Sequence, residues 1–392
     1  MLPSEPEPVP EPDPEPEGEP LPALHDELAL GATHSCLLER SGRVQCWGSD
    51  RFGQLGDPDA AVAHDAHRAT AAEVRGLSGV IDLAVGTFHS CALLDTGRAR
   101  CWGHGGFHQL GNANTDDSRQ PVELTGLGRA VELALGEGHS CARLASRRVA
   151  CWGRNTFGQL GDGTTTDRAT PAEIADLEGV LQLVAGRDHV CARVDGGEVR
   201  CWGGALDGQM GDGHRGEPEG YRTRPVVVPG VSDAMDLVAG SAHTCAILAA
   251  GTVRCWGRGD GGQLGNGPGG WASLRAVTVP RLRDAVQLAA GAAHTCARTA
   301  AGQLPCWGFN NLGQLGDGTQ TVHHAPVPVP RVADAVDVAA GARHTCARRS
   351  SGEVWCWGAN GAGQLGDGTT EDRLSPVRVR GLSAPPAGGV QP

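Results

Sequence analysis

The residues of this chain best suited to chemistry are seven His–Cys pairs of the form His-x-Cys: His34 with Cys36, His89 with Cys91, His139 with Cys141, His189 with Cys191, His243 with Cys245, His294 with Cys296 and His344 with Cys346. An imidazole beside a thiol can activate it as a nucleophile, and the same pair can ligate zinc. Each pair is followed, ten residues after its Cys, by a second one: Cys46, Cys101, Cys151, Cys201, Cys255, Cys306 and Cys356. These account for all 14 cysteines, with none left over.

Sevenfold repetition argues against a reactive centre, because a catalytic group is needed once per site. Zinc is disfavoured as well. His and Cys at i and i+2 share a strand face only if the strand already includes the His, and no C-x2-C knuckle is present. A turn centred in each C-x9-C segment instead sets the two cysteines opposite each other across a hairpin. Opposed residues in a non-hydrogen-bonded pair bring their Cβ atoms to about 4.5 Å, close to what a disulfide needs. Seven intra-blade disulfides are therefore expected, each contributing about 3 kcal/mol in the chain-entropy model; reduced core thiols and a metal site are the alternatives. Such bridges imply an oxidising compartment. Nothing at Met1 reads as a secretory signal, so an extracellular or cell-envelope location rests on the cysteines, with the cytoplasm as alternative. A second candidate for ligand chemistry is the Asp-Gly-Thr segment, as in Asp162 to Asp167 and Asp367 to Asp372. Its alternating oxygens suit calcium, but the ligand count is low and no bidentate Glu closes a twelve-residue loop. Turn chemistry is the expected role, and no cofactor or metal is expected.

The elements that hold these residues repeat. The pattern G-x-x-H-[STV]-C, nine residues, C-W-G, then usually G-Q-L-G-[DN] recurs seven times, with the His spaced by 55, 50, 50, 54, 51 and 50 residues. Each copy reads as four short strands: an L-A-x-G-like strand, one starting at the first Cys, one ending at C-W-G, and a Pro/Val strand such as Pro225 to Val228. Four short strands in about 50 residues, repeated, make a propeller blade. The expected fold is all-β, a seven-bladed β-propeller of four-stranded blades. The first copy lacks a preceding Pro/Val strand and the last lacks a following L-A-x-G strand. N- and C-terminal strands sharing one blade would close the ring and remove its edges. The expected organisation is an acidic Pro/Glu spacer over 1–22, the propeller over 23–383 and a short flexible tail over 384–392.

The motifs G-x-x-H-[ST], C-W-G and G-Q-L-G-[DN]-G-T resemble the regulator-of-chromosome-condensation repeat, with good copies at Cys151 to Thr164 and Cys356 to Thr369. The resemblance covers about residues 24–383. It implies a seven-bladed propeller, and through the family's name-giver it points to guanine-nucleotide exchange on the small GTPase Ran. The loops that carry exchange differ between blades, and no residue here matches them. A secreted β-lactamase inhibitor also uses a similar propeller. The paired cysteines depart from the general repeat.

Net charge is −12, of which −7 comes from Glu5, Glu7, Glu11, Asp13, Glu15, Glu17 and Glu19; all 33 cationic side chains other than His are Arg. No Lys/Arg run or basic stripe is present, so no nucleic-acid partner is expected. No apolar stretch is long enough to span a membrane, although the spacer could act as a tether. What recurs seven times should build the ring, and function should sit where copies differ. The segment 58–70 carries His64 and His67; 214–224 carries Tyr221, the only Tyr; 266–274 carries Trp271; the second copy has His104, Phe107 and His108 in its loop, and the sixth has His323 and His324. Tyr221, Arg222 and Trp271 are expected to form one rim patch, since Trp, Tyr and Arg dominate binding hot spots; His64, His67, Phe107 and His108 are further candidates for partner contact. The reading is a non-catalytic protein-interaction propeller, monomeric and exported. A GTPase exchange regulator and an inhibitor of a secreted enzyme are the alternatives.

Overall fold

In the computed structural model the described residues are 25–59, 66–216, 218–268 and 271–382. They form seven four-stranded antiparallel sheets, each built from consecutive strands. The first blade runs Glu27–Leu30, His34–Leu38, Val44–Ser49 and His67–Glu73, from the innermost strand outward, and the seventh ends on Arg373–Arg378. The turn between the first two strands and the long loop between the last two open on the same side of the ring, called here the loop face. The spacer and the C-terminal tail lie outside the described residues.

Closure differs from expectation. No blade is shared: the first is complete within Glu27–Glu73 and the seventh within Ala335–Arg378. The outer strand of the first blade, His-Arg-Ala-Thr-Ala-Ala-Glu, carries neither Pro nor Val and so escaped the pattern used to find outer strands. The repeat unit and the blade are therefore in phase, and the ring closes by side-chain packing and hydrogen bonds between the seventh and first blades. The seventh blade meets the first through Leu28 N–H to Asp337 Oδ2 (3.1 Å), Ala342 N–H to Gly31 O (3.1 Å) and Trp47 Nε1–H to the Gln364 carbonyl (2.9 Å).

Those contacts recur around the ring. The Trp of every C-W-G is fully buried and packs into the core of the preceding blade, as Trp102 does among Leu38, Val44 and Leu55. Its indole N–H donates to the carbonyl of that blade's loop glutamine, from Gln54 for Trp102 to Gln364 for Trp47, at 2.9–3.0 Å in all seven. The glycine two residues after each such glutamine is required twice over. At Gly56 φ is +67°, and a Cβ would lie 2.6 Å from Val74 and 3.1 Å from the Trp102 indole nitrogen.

The repeated histidines form a second set of links. His34 Nε2 lies 3.0 Å from Ser90 Oγ in the next blade, and His89, His189, His243, His294 and His344 reach Ser140, Thr244, Thr295, Thr345 and Ser35 in the same way, at 2.9–3.0 Å. Five of these hydroxyls donate to the same glutamine carbonyls that accept the Trp, as Ser140 does to Gln109 (2.8 Å). A hydroxyl has one proton to give, so there the His must donate from Nε2 and is neutral, protonated on Nε2 alone. Its Nδ1 side packs on the Gly three residues earlier: a Cβ on Gly86 would sit 2.6 Å from His89 Cε1. That contact is why the motif reads Gly-x-x-His.

One link is missing. The fourth blade carries Val190 where the others have Ser or Thr, and His139 Nε2 is buried without a partner.

The cysteines are bridged within blades, at the spacing that the hairpin geometry requires. Cys36 bonds Cys46 in the first blade, Cys91 bonds Cys101 in the second, Cys141 bonds Cys151 in the third and Cys191 bonds Cys201 in the fourth. Cys245 bonds Cys255 in the fifth, Cys296 bonds Cys306 in the sixth and Cys346 bonds Cys356 in the seventh. No cysteine is left free. The two partners are directly opposed in register in every blade, with Cα atoms 4.0–4.1 Å apart. That separation belongs to the close, non-hydrogen-bonded pairing site of an antiparallel ladder. Because both sulfurs of each pair are consumed and fully buried, Cys91, Cys141, Cys191, Cys245, Cys296 and Cys346, like Cys36, offer neither a thiolate nucleophile nor a zinc ligand beside their histidines.

Two outcomes are expected. Val190→Thr, close in volume, restores the hydroxyl and should stabilise the fold by about 1 kcal/mol, whereas Ser140→Ala strands His89 and should cost about 1–3 kcal/mol; denaturant titration reads both. Alkylation of the unfolded, unreduced protein should add no mass, and fourteen alkyl groups only after reduction; label taken up without reductant would mean that the bridges are not formed.

Candidate functional site on the loop face

The long loop after each C-W-G is built the same way in every blade. The loop glutamine side chain accepts the backbone N–H two residues earlier through Oε1, from Phe52 for Gln54 to Ala362 for Gln364, at 2.8–3.0 Å. Where the second loop residue is Asn, as at Asn155, Asn310 and Asn360, its amide accepts the N–H of the motif's Leu and donates across the loop to Thr164, Thr319 or Thr369. The Asp-Gly-Thr carboxylates are likewise committed. Asp162 accepts from Thr164 N, Thr164 Oγ1 and Arg168 Nε at 2.7–2.9 Å, and Asp367 does the same with Thr369 and Arg373 at 2.7–3.0 Å. These oxygens brace a turn, as expected.

Arg222 joins this braced set. It lies opposite Gly203 and pairs with Asp212 at 2.8 Å, as Arg68 pairs with Asp57, Arg168 with Asp162 and Arg373 with Asp367. Its position recurs, which the sequence comparison by inserts had hidden. Tyr221, next to it, starts the outer strand of the fourth blade opposite Gly204 and is partly buried. Trp271 is 80% exposed, just ahead of the outer strand of the fifth blade, its carbonyl accepting Gly259 N–H (2.8 Å). Three residues on, Leu274 packs against Gly208 of the fourth blade. Leu274, His214, Arg215 and Arg222 line a recess of about 340 Å³ between the two blades. Leu206, 60% exposed, sits beside it in the fourth-blade loop, its carbonyl held by Arg215 (2.7 Å). Sequence reading passed over Leu206 because it replaces a residue inside a repeat rather than belonging to an insert.

His67 starts the outer strand of the first blade, the position of Tyr221 in the fourth, and is exposed; His64 lies outside the described residues. His108 has φ +64° and bonds the Asn114 carbonyl through Nδ1 (3.1 Å). Phe107, 37% exposed, belongs to a second group that the sequence did not reveal. Phe52 meets Phe88 at 5.4 Å and His104 at 4.7 Å between ring centroids, and His104 meets Phe107 at 5.7 Å. Arg51 lies over Phe52, and Arg154 lies over both Phe107 (5.1 Å) and Phe157 (5.6 Å). Four of the chain's five Phe gather here, across the first three blades. The signal was Phe in one slot of the loop motif at Phe52, Phe107 and Phe157, where later blades hold Asp207, Gly261, Leu312 and Ala362.

At the opposite end of the channel the innermost strands carry Glu27, Asp82, Glu132, Gln182, Asp236, Gln287 and Asp337 at one position. Most accept a backbone N–H from the next blade, as Asp82 does from Leu133 (3.0 Å) and Asp236 from Leu288 (3.4 Å). Burial, then the neighbouring Glu132, pushes the Asp82 carboxyl up to about 7. Burial, then Asp82 and Asp337, raises Glu27 well above the usual range, and burial also raises Glu132 and Asp236.

The family profile for the RCC1-like domain matches residues 3–270, and RCC1 repeat profiles match 250–298, 301–348 and 351–387. The chain belongs to the RCC1-like domain family. Among curated relatives of this RCC1-like propeller, the human E3 ubiquitin-protein ligase HERC2 is 37% identical over 89 residues, covering 22% of this chain and 2% of that protein. The Xenopus laevis RCC2 homolog is 37% identical over 87 residues, 21% of this chain and 16% of that one. The matched segments thus span a small part of these relatives. Human WBSCR16 has a similar structure (TM-score 0.78, 22% identity, 88% of this chain and 95% of that), as has yeast RCC1, Prp20, bound to Kap60 (TM-score 0.71, 21% identity, 80% and 78%). These structural likenesses show a shared fold.

The RCC1-like propeller has two opposed pH dependences. Burial lowers His34, His89, His189, His294 and His344 to about 3 and His139 and His243 to about 4. Unfolding below pH ~6.5 therefore takes up protons, and stability falls as pH drops from ~6.5 toward 3. Asp82 is the reverse: its folded value is raised, so its contribution is complete below pH ~4 and is lost as pH rises through ~7. Seven histidines outweigh the few raised carboxylates on the acid side. Melting temperature should therefore peak near pH 6–7, with a steep acid limb and a shallow decline toward pH 8. Circular dichroism melts across pH 4–9 check this, and Asp82→Asn should steepen the rise in melting temperature between pH ~4 and ~7, because the variant no longer has the proton that the folded carboxyl holds over that range.

Proposed function

We propose that this RCC1-like propeller is a non-catalytic interaction module that captures a protein partner on its loop face. The observation that carries the reading is how the polar groups divide. The repeated His, Cys, Trp, Gln, Asn and Arg–Asp groups are spent on bridges and links that hold loops and blades. Two exposed, unrepeated side chains mark this sector: Leu206, whose carbonyl is held by the recess-lining Arg215, and Trp271, three residues ahead of Leu274, which lines the same recess. An exposed Trp on a loop of a rigid scaffold is the kind of residue on which binding surfaces concentrate affinity. Tyr221 flanks this patch, while Arg222 supports it through Asp212.

The seven bridges favour an oxidising, extracellular or cell-envelope setting for this role, with the acidic spacer as a tether. A second reading, regulation of a small GTPase, draws on a fold relative, yeast Prp20p, which has binding properties toward Gsp1p and histones. Inhibition of a secreted enzyme is a special case of the first reading.

The double variant Leu206→Ser with Trp271→Ser should lose the captured partner, with binding weakened at least tenfold in surface plasmon resonance. Its melting temperature should stay within a few degrees of the parent, since both side chains are exposed. Retention of the same partner at unchanged affinity would refute the site. Stimulated nucleotide release from a GTPase would favour the second reading.

A further inference from the structure

The aromatic–arginine cluster on the first three blades is not needed to build the loops it sits on. The seventh-blade loop has the same glutamine bond, from Ala362 N–H to Gln364 (2.9 Å), with Ala359 and Ala362 in the places of His104 and Phe107. Among the described residues, Arg51 and Arg154 have no carboxylate partner; their guanidinium groups lie over aromatic rings instead. Of the carboxylates nearby, Asp50 is paired with Arg119 (3.0 Å) and Asp188 with Arg187 (2.8 Å), while Asp117 accepts the Gly105 N–H (2.9 Å) and keeps its charge. The surface therefore offers ring faces and two unneutralised cations.

Ring faces flanked by cations suit an extended proline-rich chain that is also acidic, because proline rings pack on aromatic side chains and polyproline II is already extended. This chain contains such a segment. Residues 3–20 alternate Pro with Glu or Asp almost without interruption and carry seven acidic and no basic side chains. Proline at every second position, set against a threefold screw, places both proline and carboxylate on every face of such a helix. Its reach is sufficient. The chain enters its first strand at Glu27, at the end opposite the loop face. The C-terminal part of the segment therefore spans the ring, about 20 Å for the thickness of a six-residue strand, and its N-terminal part reaches the cluster, out of about 60 Å for twenty residues of polyproline II.

We propose that the cluster formed by Phe52, Phe88, His104, Phe107 and Phe157 with Arg51 and Arg154 docks the chain's own Pro/Glu segment, residues 3–20, with prolines on the rings and carboxylates on the two arginines. The segment then covers one sector of the loop face and leaves the sector of Leu206 and Trp271 open, so the two surfaces are tested separately.

The test uses the full chain with p-benzoylphenylalanine in place of Phe107, and in a control chain in place of Ala362, the same loop position in the seventh blade. After irradiation, mass spectrometry should find cross-links from position 107 to residues 3–20 within one chain, at least fivefold more than from position 362. The yield should fall severalfold in 0.5 M NaCl, because the charge pairing is solvent-exposed and screened, and at least fivefold on combining Arg51→Ser with Arg154→Ser. A second variant leaves the propeller untouched and replaces the seven acids of the segment with Gln or Asn; it should lower the yield as much. Equal yields from the two positions, cross-links that join two copies or reach elsewhere, or a yield indifferent to both sets of charge changes would overturn the proposal.

Discussion

The carbonyl of the loop glutamine is the acceptor around which the ring is organised. It lies on one blade and takes an indole N–H from the next, and in five places a hydroxyl as well. Both donors are buried, and a buried donor without an acceptor costs about 1–3 kcal/mol. A blade taken alone would leave these groups unpaired and its Trp face exposed. Association with a neighbour is thus a condition of each blade's stability rather than an addition to it. The histidine chain acts in the same way one layer further in, handing each hydroxyl a donor from the opposite side.

This dependence explains which features could be read from residue types alone. Sevenfold recurrence of Gly-x-x-His and Cys-Trp-Gly marks groups whose geometry is fixed on both sides, so their spacing cannot drift. The register of Cys36 with Cys46, and of Cys91 with Cys101 after it, followed from hairpin geometry, because opposed strand positions are a local property. The outer strand is different. It is half exposed and pairs with one neighbour only, so His-Arg-Ala-Thr-Ala-Ala-Glu serves as well as a Pro/Val segment. That tolerance hid the first blade's last strand and suggested a shared closing blade that does not exist.

The candidate surfaces were harder to read for a related reason. Arg222 looked distinctive inside a long insert, yet it is the partner of Asp212 in a pairing found in four blades. Leu206, Phe52, Phe88 and Phe157 looked like ordinary members of a repeat, yet they are side chains the repeat leaves unconstrained. Insert length reports where backbone was added. It does not report where the fold has released a side chain for other use, and that emerges only when equivalent slots are compared across blades in three dimensions.

Because every disulfide is confined to one sheet and the first and last described strands belong to different sheets, among the described residues no disulfide or shared strand ties the circle shut. The boundary between the last and first sheets is held by the same kinds of non-covalent contact as the six others. The molecule is therefore topologically a rolled-up ribbon with no privileged seam. The chain could be cut at any of the short links between blades and its old ends joined, and the same seven interfaces would re-form, which is the property expected of a ring assembled by copying one unit head to tail.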